Sequence, residues 1–186
     1  MKQESLTRYI LRITLVLFAI AVVVAGLLSV VNTITEPIIA ASVEAKTQEA
    51  IAQVLPGGYD EQITDFTDKT GLVSRLYRGQ NGYAVEVTPI GFDNTITMMV
   101  GVANDGTVLG ISIISHTESA GLGAVAASSN SAGRNFRQQF VGLSGSVSVT
   151  KDGGQVDAIT NATITSRAIC AGINAALACV AGLGGA

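Results

Sequence analysis

Two short segments of this 186-residue chain concentrate the side chains that could do chemistry. The first is Asp157-Ala158-Ile159-Thr160-Asn161-Ala162-Thr163-Ile164-Thr165-Ser166, which sets the hydroxyls of Thr160, Thr163, Thr165 and Ser166 directly ahead of a helical pattern. Exposed N–H groups and the positive dipole end of a helix make an anion site, and a phosphate held there needs no basic side chain. Thr and Ser also cap helices routinely, so a capping cluster is the plain alternative. The second segment, His116-Thr117-Glu118-Ser119-Ala120-Gly121-Leu122-Gly123, follows a strand pattern. Gly121 and Gly123 allow unusual backbone angles or the close approach of a planar ligand. His116 and Glu118 offer it polar contacts, with a solvated turn as the alternative.

Other chemistries lack their parts. The chain has one histidine and two cysteines, Cys170 and Cys179, with no CxxC. A protein-built iron–sulfur centre, c-type haem or zinc site is therefore short of ligands. The cysteines fall nine apart on one helical pattern, roughly 13 Å along its axis, beyond the reach of about 7 Å between Cα atoms that a disulfide needs. They read as small buried residues. With 11 basic against 14 acidic side chains, the formal charge of −3 makes the chain a poor general nucleic-acid binder.

Only 13% of the residues are charged, against about 25% in a typical soluble domain. Part of the deficit lies in Ile13–Val31, ITLVLFAIAVVVAGLLSVV, which carries no charge. As a helix it is roughly 28 Å long, close to a bilayer core of about 30 Å. Lys2, Arg8 and Arg12 precede it, and Glu36 and Glu44 follow. The positive-inside bias thus predicts a cytoplasmic N-terminus and an outer remainder. A cleaved signal peptide fits less well, because the apolar run is longer than the usual h-region. A buried helix of a soluble domain is rarely apolar all round at this length.

The elements that must position the two segments follow from pattern. Residues Pro37–Val54 predict a helix with Pro37 in its first turn, ended by Pro56-Gly57-Gly58. Strands are expected at Gly71–Tyr77, Tyr83–Thr88, Ile96–Ala103 and Val108–Ser115, the last two joined through Asn104-Asp105-Gly106. A short helix is expected at Ser131–Phe140, a strand at Val147–Thr150, and a final helix from about Ser166 to Val180, running into an alanine-rich tail. The order defines an α+β fold: one N-terminal transmembrane helix, then a domain with a mixed or antiparallel sheet and packed helices. The expected organisation is 1–12 cytoplasmic, 13–31 transmembrane, 32–56 a helical stalk, and 57–186 the outer domain.

The paired motifs resemble the FMN-binding domain shared by the G subunit of the Rnf electron-transport complex and the C subunit of the sodium-pumping NADH:quinone reductase. The family's H-[ST]-E-T-P-G-L-G-like loop is matched by HTESAGLG at His116–Gly123, and its D-x-[IVT]-[ST]-G-A-T-x-[ST]-S-like flavinylation motif by DAITNATITS at Asp157–Ser166. The resemblance extends to the N-terminal span, Val54–Pro56, Gly82-Tyr83, Gly101–Gly110 and Gln139–Gly142. The short chain resembles the Rnf type more closely. Asn161 stands where the motif has glycine, and Ser119-Ala120 where the loop has Thr-Pro. Asn tolerates left-handed backbone angles better than most residues.

The resemblance implies a phosphoester from FMN to Thr163, with Thr160, Asn161, Ala162, Thr165 and Ser166 around the phosphate. Asp157 would be read by the flavin transferase that installs the cofactor. His116, Glu118, Gly121, Leu122 and Gly123 would line the isoalloxazine, with Leu122 on the ring and Glu118 near its polar edge. The resemblance further implies a non-autonomous redox subunit of a membrane complex of roughly six subunits. Such a complex, with membrane and iron–sulfur or flavin partners, moves electrons between ferredoxin and NAD and couples this to ion transport. Three other readings stand beside it: the quinone-reductase C subunit, a flavin-free membrane-anchored structural or sensing subunit, and a stand-alone flavoprotein reductase.

Overall fold

The computed structural model describes residues 6–184. Lys2, counted in the charge bias, and the last two residues of the tail lie outside them. The elements are α1 (Leu6–Val54), β1 (Glu61–Ile63), β2 (Val73–Gly79), β3 (Gly82–Val87), β4 (Thr97–Ala103), β5 (Val108–Ser115), α2 (Ser131–Gln138) and α3 (Thr163–Gly184). Two 3-10 turns, Gly123–Ala127 and Thr150–Asp152, complete the set. The chain divides into two compact units, up to Glu44 and from Ala45 onward.

The first unit is the leading part of α1. Its most apolar window has a mean hydropathy of 2.9 and buries nothing, so it is long and apolar enough to cross a membrane. The expected stalk helix, starting afresh at Pro37, is instead continuous with this span, and Pro37 lies inside α1. Proline there removes one N–H and costs about 3 kcal/mol. The helix-forming sequence on both sides outweighs that single lost bond, and Thr33 closes its own turn through Oγ1 to the Ser29 carbonyl at 2.9 Å.

The second unit is built on a five-stranded sheet in the order β1-β2-β3-β4-β5, antiparallel at every pairing. Alternation along the strands gives it two faces. Val85, Val87, Met98, Val100 and Val102 meet Ile169, Ile173, Ala176 and Val180 of α3 in the larger core. Ala84, Met99 and Tyr77 face the other way, onto Ala50, Ile51, Val54 and Leu55 at the end of α1. Gly101 makes the second contact possible, because a Cβ there would overlap the Val54 backbone. α3 is also long and apolar enough to span a membrane, but two-thirds of its apolar window is buried in the domain, and it is the core helix.

Three elements depart from the sequence reading. β1 is a three-residue edge strand whose Glu-Gln-Ile carries no apolar alternation. Val147–Thr150 forms a single parallel bridge, Val149 to Val156, instead of a strand. The ladder is replaced by one side chain: Asn174 of α3 accepts from the Val147 N–H and donates to the Val147 carbonyl, both at 2.8 Å. α3 itself begins at Thr163, three residues ahead of the expected start.

Candidate functional site

The early start of α3 defines the site. The first intrahelical bond of α3 runs from Ser166 N–H to the Ala162 carbonyl at 3.0 Å, so the N–H groups of Thr163, Ile164 and Thr165 precede the helical ladder. Beside them opens a cavity of about 330 Å³. It is lined by Asn161–Thr165, by Glu118, Ser119, Leu122 and Gly123, and by Phe92 and Lys151. The two segments singled out in the sequence therefore meet, although 47 positions separate Glu118 from Thr165.

The approach to α3 is set by Asn161. Its φ of 60° makes it the one non-glycine residue in the left-handed region among those described. Asparagine is the side chain that adopts this geometry most readily in place of glycine. The turn is closed by the Ala162 N–H to the Ile159 carbonyl at 2.9 Å, and by the Ile159 N–H to Ser166 Oγ at 3.0 Å. Ser166 Oγ in turn donates to the Ala162 carbonyl at 2.9 Å. Ser166 is fully buried and directed into the turn.

Glu118 joins the two segments. One carboxylate oxygen accepts from the backbone N–H groups of Phe92 (2.9 Å) and Asp93 (3.2 Å), and the other accepts the Thr165 hydroxyl. Only 7% of Glu118 is exposed. A Cβ at either Gly91 or Gly123 would overlap its carboxylate, so both glycines leave room for this latch. Gly123 thus serves a close approach within the protein. The Glu118 oxygens and the Thr165 hydroxyl are occupied in holding the pocket walls together.

The remaining sequence-selected residues are spread around this centre. Leu122, Ile164 and Phe92 are exposed apolar side chains at the cavity. Gly121, with φ of 76°, shapes the loop before Leu122 but is not among the lining residues. Thr160 and Asp157 are exposed and also outside the lining; the Asp157 backbone N–H donates to Gln139 Oε1 at 2.7 Å. His116 is half-buried just past β5, outside the lining, and its buried Nδ1 has no partner among the described residues.

Ser119 and Ile164 line the cavity from within the two segments without having been singled out, and two further lining residues lie outside both segments. Phe92 is an exposed aromatic in a loop, a signal with no periodicity to mark it. Lys151 sits in the Thr150–Asp152 turn and donates from Nζ to Thr163 Oγ1 at 3.1 Å. The expectation that a phosphate site here needs no basic side chain thus meets a lysine at the hydroxyl in question. Its nearest sequence cue is a lone charge before Asp152-Gly153-Gly154.

The cysteines are buried and free. Burial, with Asp152 nearby, pushes the Cys170 thiol up to about 11. Burial also raises the Cys179 thiol. Both thiols are thereby shifted away from the reactive thiolate form at neutral pH.

The architecture is an α+β domain after an N-terminal helix long and apolar enough to span a membrane, with a cavity at the start of α3 rimmed by apolar side chains. Comparison with known proteins gives the class. The FMN-binding domain family matches residues 91–178, and the RnfG N-terminal region matches residues 1–54. The G subunit of the ion-translocating oxidoreductase complex of Methanosarcina acetivorans is 31% identical over 182 residues, covering 92% of this chain and 94% of that protein. Its namesake from Vibrio cholerae strain M66-2 is 32% identical over 174 residues, covering 83% and 82%. The G subunit of the Na(+)-translocating ferredoxin:NAD(+) oxidoreductase complex of Acetobacterium woodii is 28% identical over 188 residues, covering 90% and 89%. The chain belongs to the RnfG family, the FMN-binding G subunits of Rnf-type ion-translocating oxidoreductase complexes.

Proposed function

We propose that this chain relays electrons through an FMN joined by a phosphoester to Thr163 Oγ. The carrying observation is that Thr163 opens α3 at the wall of the cavity, where the first-turn N–H groups lie ahead of the helical ladder. The cavity fits the two halves of the group. A phosphate on Thr163 meets the positive end of a 22-residue helix. Phe92, Leu122 and Ile164 offer apolar surface to a planar ring. Asn161 keeps the left-handed turn that the motif's glycine would supply, so the attachment loop retains its form.

When bound, FMN supplies the redox chemistry; the chain supplies position and electrostatics. Glu118 holds the 91–93 loop and the first turn of α3 at a fixed separation through its three accepted hydrogen bonds. Ser166 fixes the turn from Ile159 to Ala162 from inside. Thr160 and Asp157 stand on the exposed approach, where Asp157 is open to recognition by the flavin transferase. Gly121 lets the loop carry Leu122 to the cavity. His116, half-buried just past β5, stands outside the cavity lining, at the start of the loop that leads to Leu122. A covalent tether keeps the flavin from being lost to an open compartment and raises its effective concentration at the next redox centre.

The chain acts inside a complex whose other members include membrane and iron–sulfur or flavin subunits. The name of the Acetobacterium relative supports ferredoxin and NAD as the terminal couples. Arg8 and Arg12 ahead of the apolar stretch support residues 1–12 on the cytoplasmic side, a span over 13–31 and the domain outside; the stalk expected over 32–56 ends within that domain, whose core includes Ala50, Ile51, Val54 and Leu55. The test is intact mass after expression in a host with a flavin transferase. The full chain should gain one FMN less water, and Thr163→Val should gain nothing and lose in-gel flavin fluorescence. An unmodified wild-type mass in the native host would refute the tether.

A further inference from the structure

We infer that Lys151 is the counter-charge for the phosphate on Thr163 and a positioning residue for its esterification, an inference that rests on the Thr163 reading above. Among the described residues lining the cavity, Lys151 is the single basic side chain, and its Nζ already contacts the hydroxyl to be esterified at 3.1 Å. An exposed lysine ordinarily wanders, but the turn that carries this one is fastened to the helix that carries Thr163. Asp152, the next residue, accepts two hydrogen bonds from Arg167, from Nε at 2.7 Å and from a terminal guanidinium nitrogen at 2.6 Å. Arg167 stands one helical turn beyond Thr163 on α3, so this bidentate pair sets the register of Lys151 against the hydroxyl. On the other side of the turn, fully buried Val149 and Val156 bridge and enter the core beneath α3. The backbone at residues 149–156 is thereby held at both ends.

The chemistry asks for a cation at this place. Esterification forms a bond from Thr163 Oγ to the phosphorus of an activated flavin phosphate, a phosphoanhydride. The bond from phosphorus to its leaving phosphate breaks, taking the electron pair, and the hydroxyl proton passes to a base of the transferase. Nothing is oxidised or reduced. Negative charge gathers on the phosphoryl oxygens during the transfer, and the product keeps one negative charge beside Thr163 for good. An ammonium at hydrogen-bond distance from Oγ is placed to compensate both, adding a full charge to the partial charge of the helix end. Asp152, the nearest acid in sequence, has both carboxylate oxygens hydrogen-bonded to Arg167, its strongest partner, and Lys151 adds a weaker charge interaction.

The experiment follows attachment over time by intact mass, using the full-length chain in membranes with a limiting amount of transferase. Lys151→Gln should load about tenfold more slowly than wild type, the loss of one solvent-accessible charge-assisted hydrogen bond. Lys151→Arg should recover most of the rate, and the melting temperature of Lys151→Gln should match wild type. Loading of Lys151→Gln at the wild-type rate would overturn the inference while leaving the Thr163 reading intact. Equal slowing by Gln and Arg would also overturn it, because the effect would then follow lysine shape and not charge. Failure of the wild type to load, or loading of Thr163→Val, would remove the Thr163 reading and this inference with it.

Discussion

Replacing Glu118 by alanine removes the acceptor of three hydrogen bonds that tie the 91–93 loop to α3. The magnitude follows from what each donor loses. The Phe92 and Asp93 N–H groups are part-buried, so water restores part of their bonding, and each loss is worth about 0.5–1 kcal/mol. The Thr165 hydroxyl is buried, and leaving it without an acceptor costs about 1–2 kcal/mol. The total is about 3 kcal/mol, and at about 3 °C per kcal/mol for a domain of this size it lowers Tm by about 9 °C. Thr165→Val alone leaves one carboxylate oxygen unsatisfied and costs about 2 kcal/mol. The double variant should fall short of the sum by about 1–2 kcal/mol, since both changes break one bond. Glu118→Gln keeps an oxygen for the two N–H groups, and its amide can donate to the threonine oxygen, so it should cost under about 1 kcal/mol. The assay is thermal unfolding of the detergent-solubilised full chain, followed by near-ultraviolet circular dichroism. A Glu118→Ala Tm within about 2 °C of wild type, with additive behaviour in the double variant, would refute the latch. If that variant lost flavin without losing stability, Glu118 would instead be a direct cofactor contact.

Asn161→Gly should relieve the left-handed backbone strain and stabilise the domain by a few tenths to about 1 kcal/mol, while Asn161→Ala should destabilise it by about 1 kcal/mol or more; paired thermal melts check both signs. Cys170 and Cys179 should resist maleimide in the folded protein at pH 7–8 and react fully only after denaturation, as counted by mass, because burial raises both thiols. Lowering the pH through the carboxylate range should loosen the 150–152 turn. Hydrogen bonding from Arg167 holds the Asp152 carboxyl below its ordinary value, so its contribution is complete above an unfolded value of about 3.9 and is lost as pH falls through the lower folded value. Protection factors of residues 150–154, with exchange rates corrected for their intrinsic pH dependence, should fall as the pH is lowered below about 3.9, and in Asp152→Asn they should stay constant over the same range.

The parts of the fold that repeat were legible in the sequence. The charge-free run at 13–31, the alternating strands and the Asn104-Asp105-Gly106 hairpin each carry a period or a turn signal, and all three reappear in α1 and β2–β5. Three parts were not legible because one long-range side chain decides them. Asn174 satisfies the backbone at Val147 in place of a strand ladder. Glu118 latches the 91–93 loop to the start of α3, which its loop sequence does not announce. Lys151 meets Thr163 across two segments separate in sequence, which the Asp152–Arg167 pair and the Val149–Val156 bridge also join. Pro37 misled in the opposite direction: proline at a helix start is the common case, but a 49-residue helix absorbs one missing bond.

The low charge of the chain bears on how an anionic FMN can be held in the domain from Ala45 onward. Of the four hydroxyls ahead of α3, two are consumed internally: Thr165 by Glu118, and Ser166 by the turn it closes. Of the other two, Thr160 is exposed outside the lining, and Thr163 faces the cavity beside N–H groups that precede the helical ladder, with a single lysine in contact. Such an arrangement attracts free phosphate weakly, since it offers one full charge where phosphate-binding sites that work without a tether gather several donors and cations. Weak recognition joined to a covalent bond is coherent. Under the proposed phosphoester, the bond would supply retention, and the surrounding residues would need only to orient the group and balance its remaining charge. A chain relying on non-covalent retention in the same place would need more basic side chains around the α3 start, and among the lining residues this one has only Lys151.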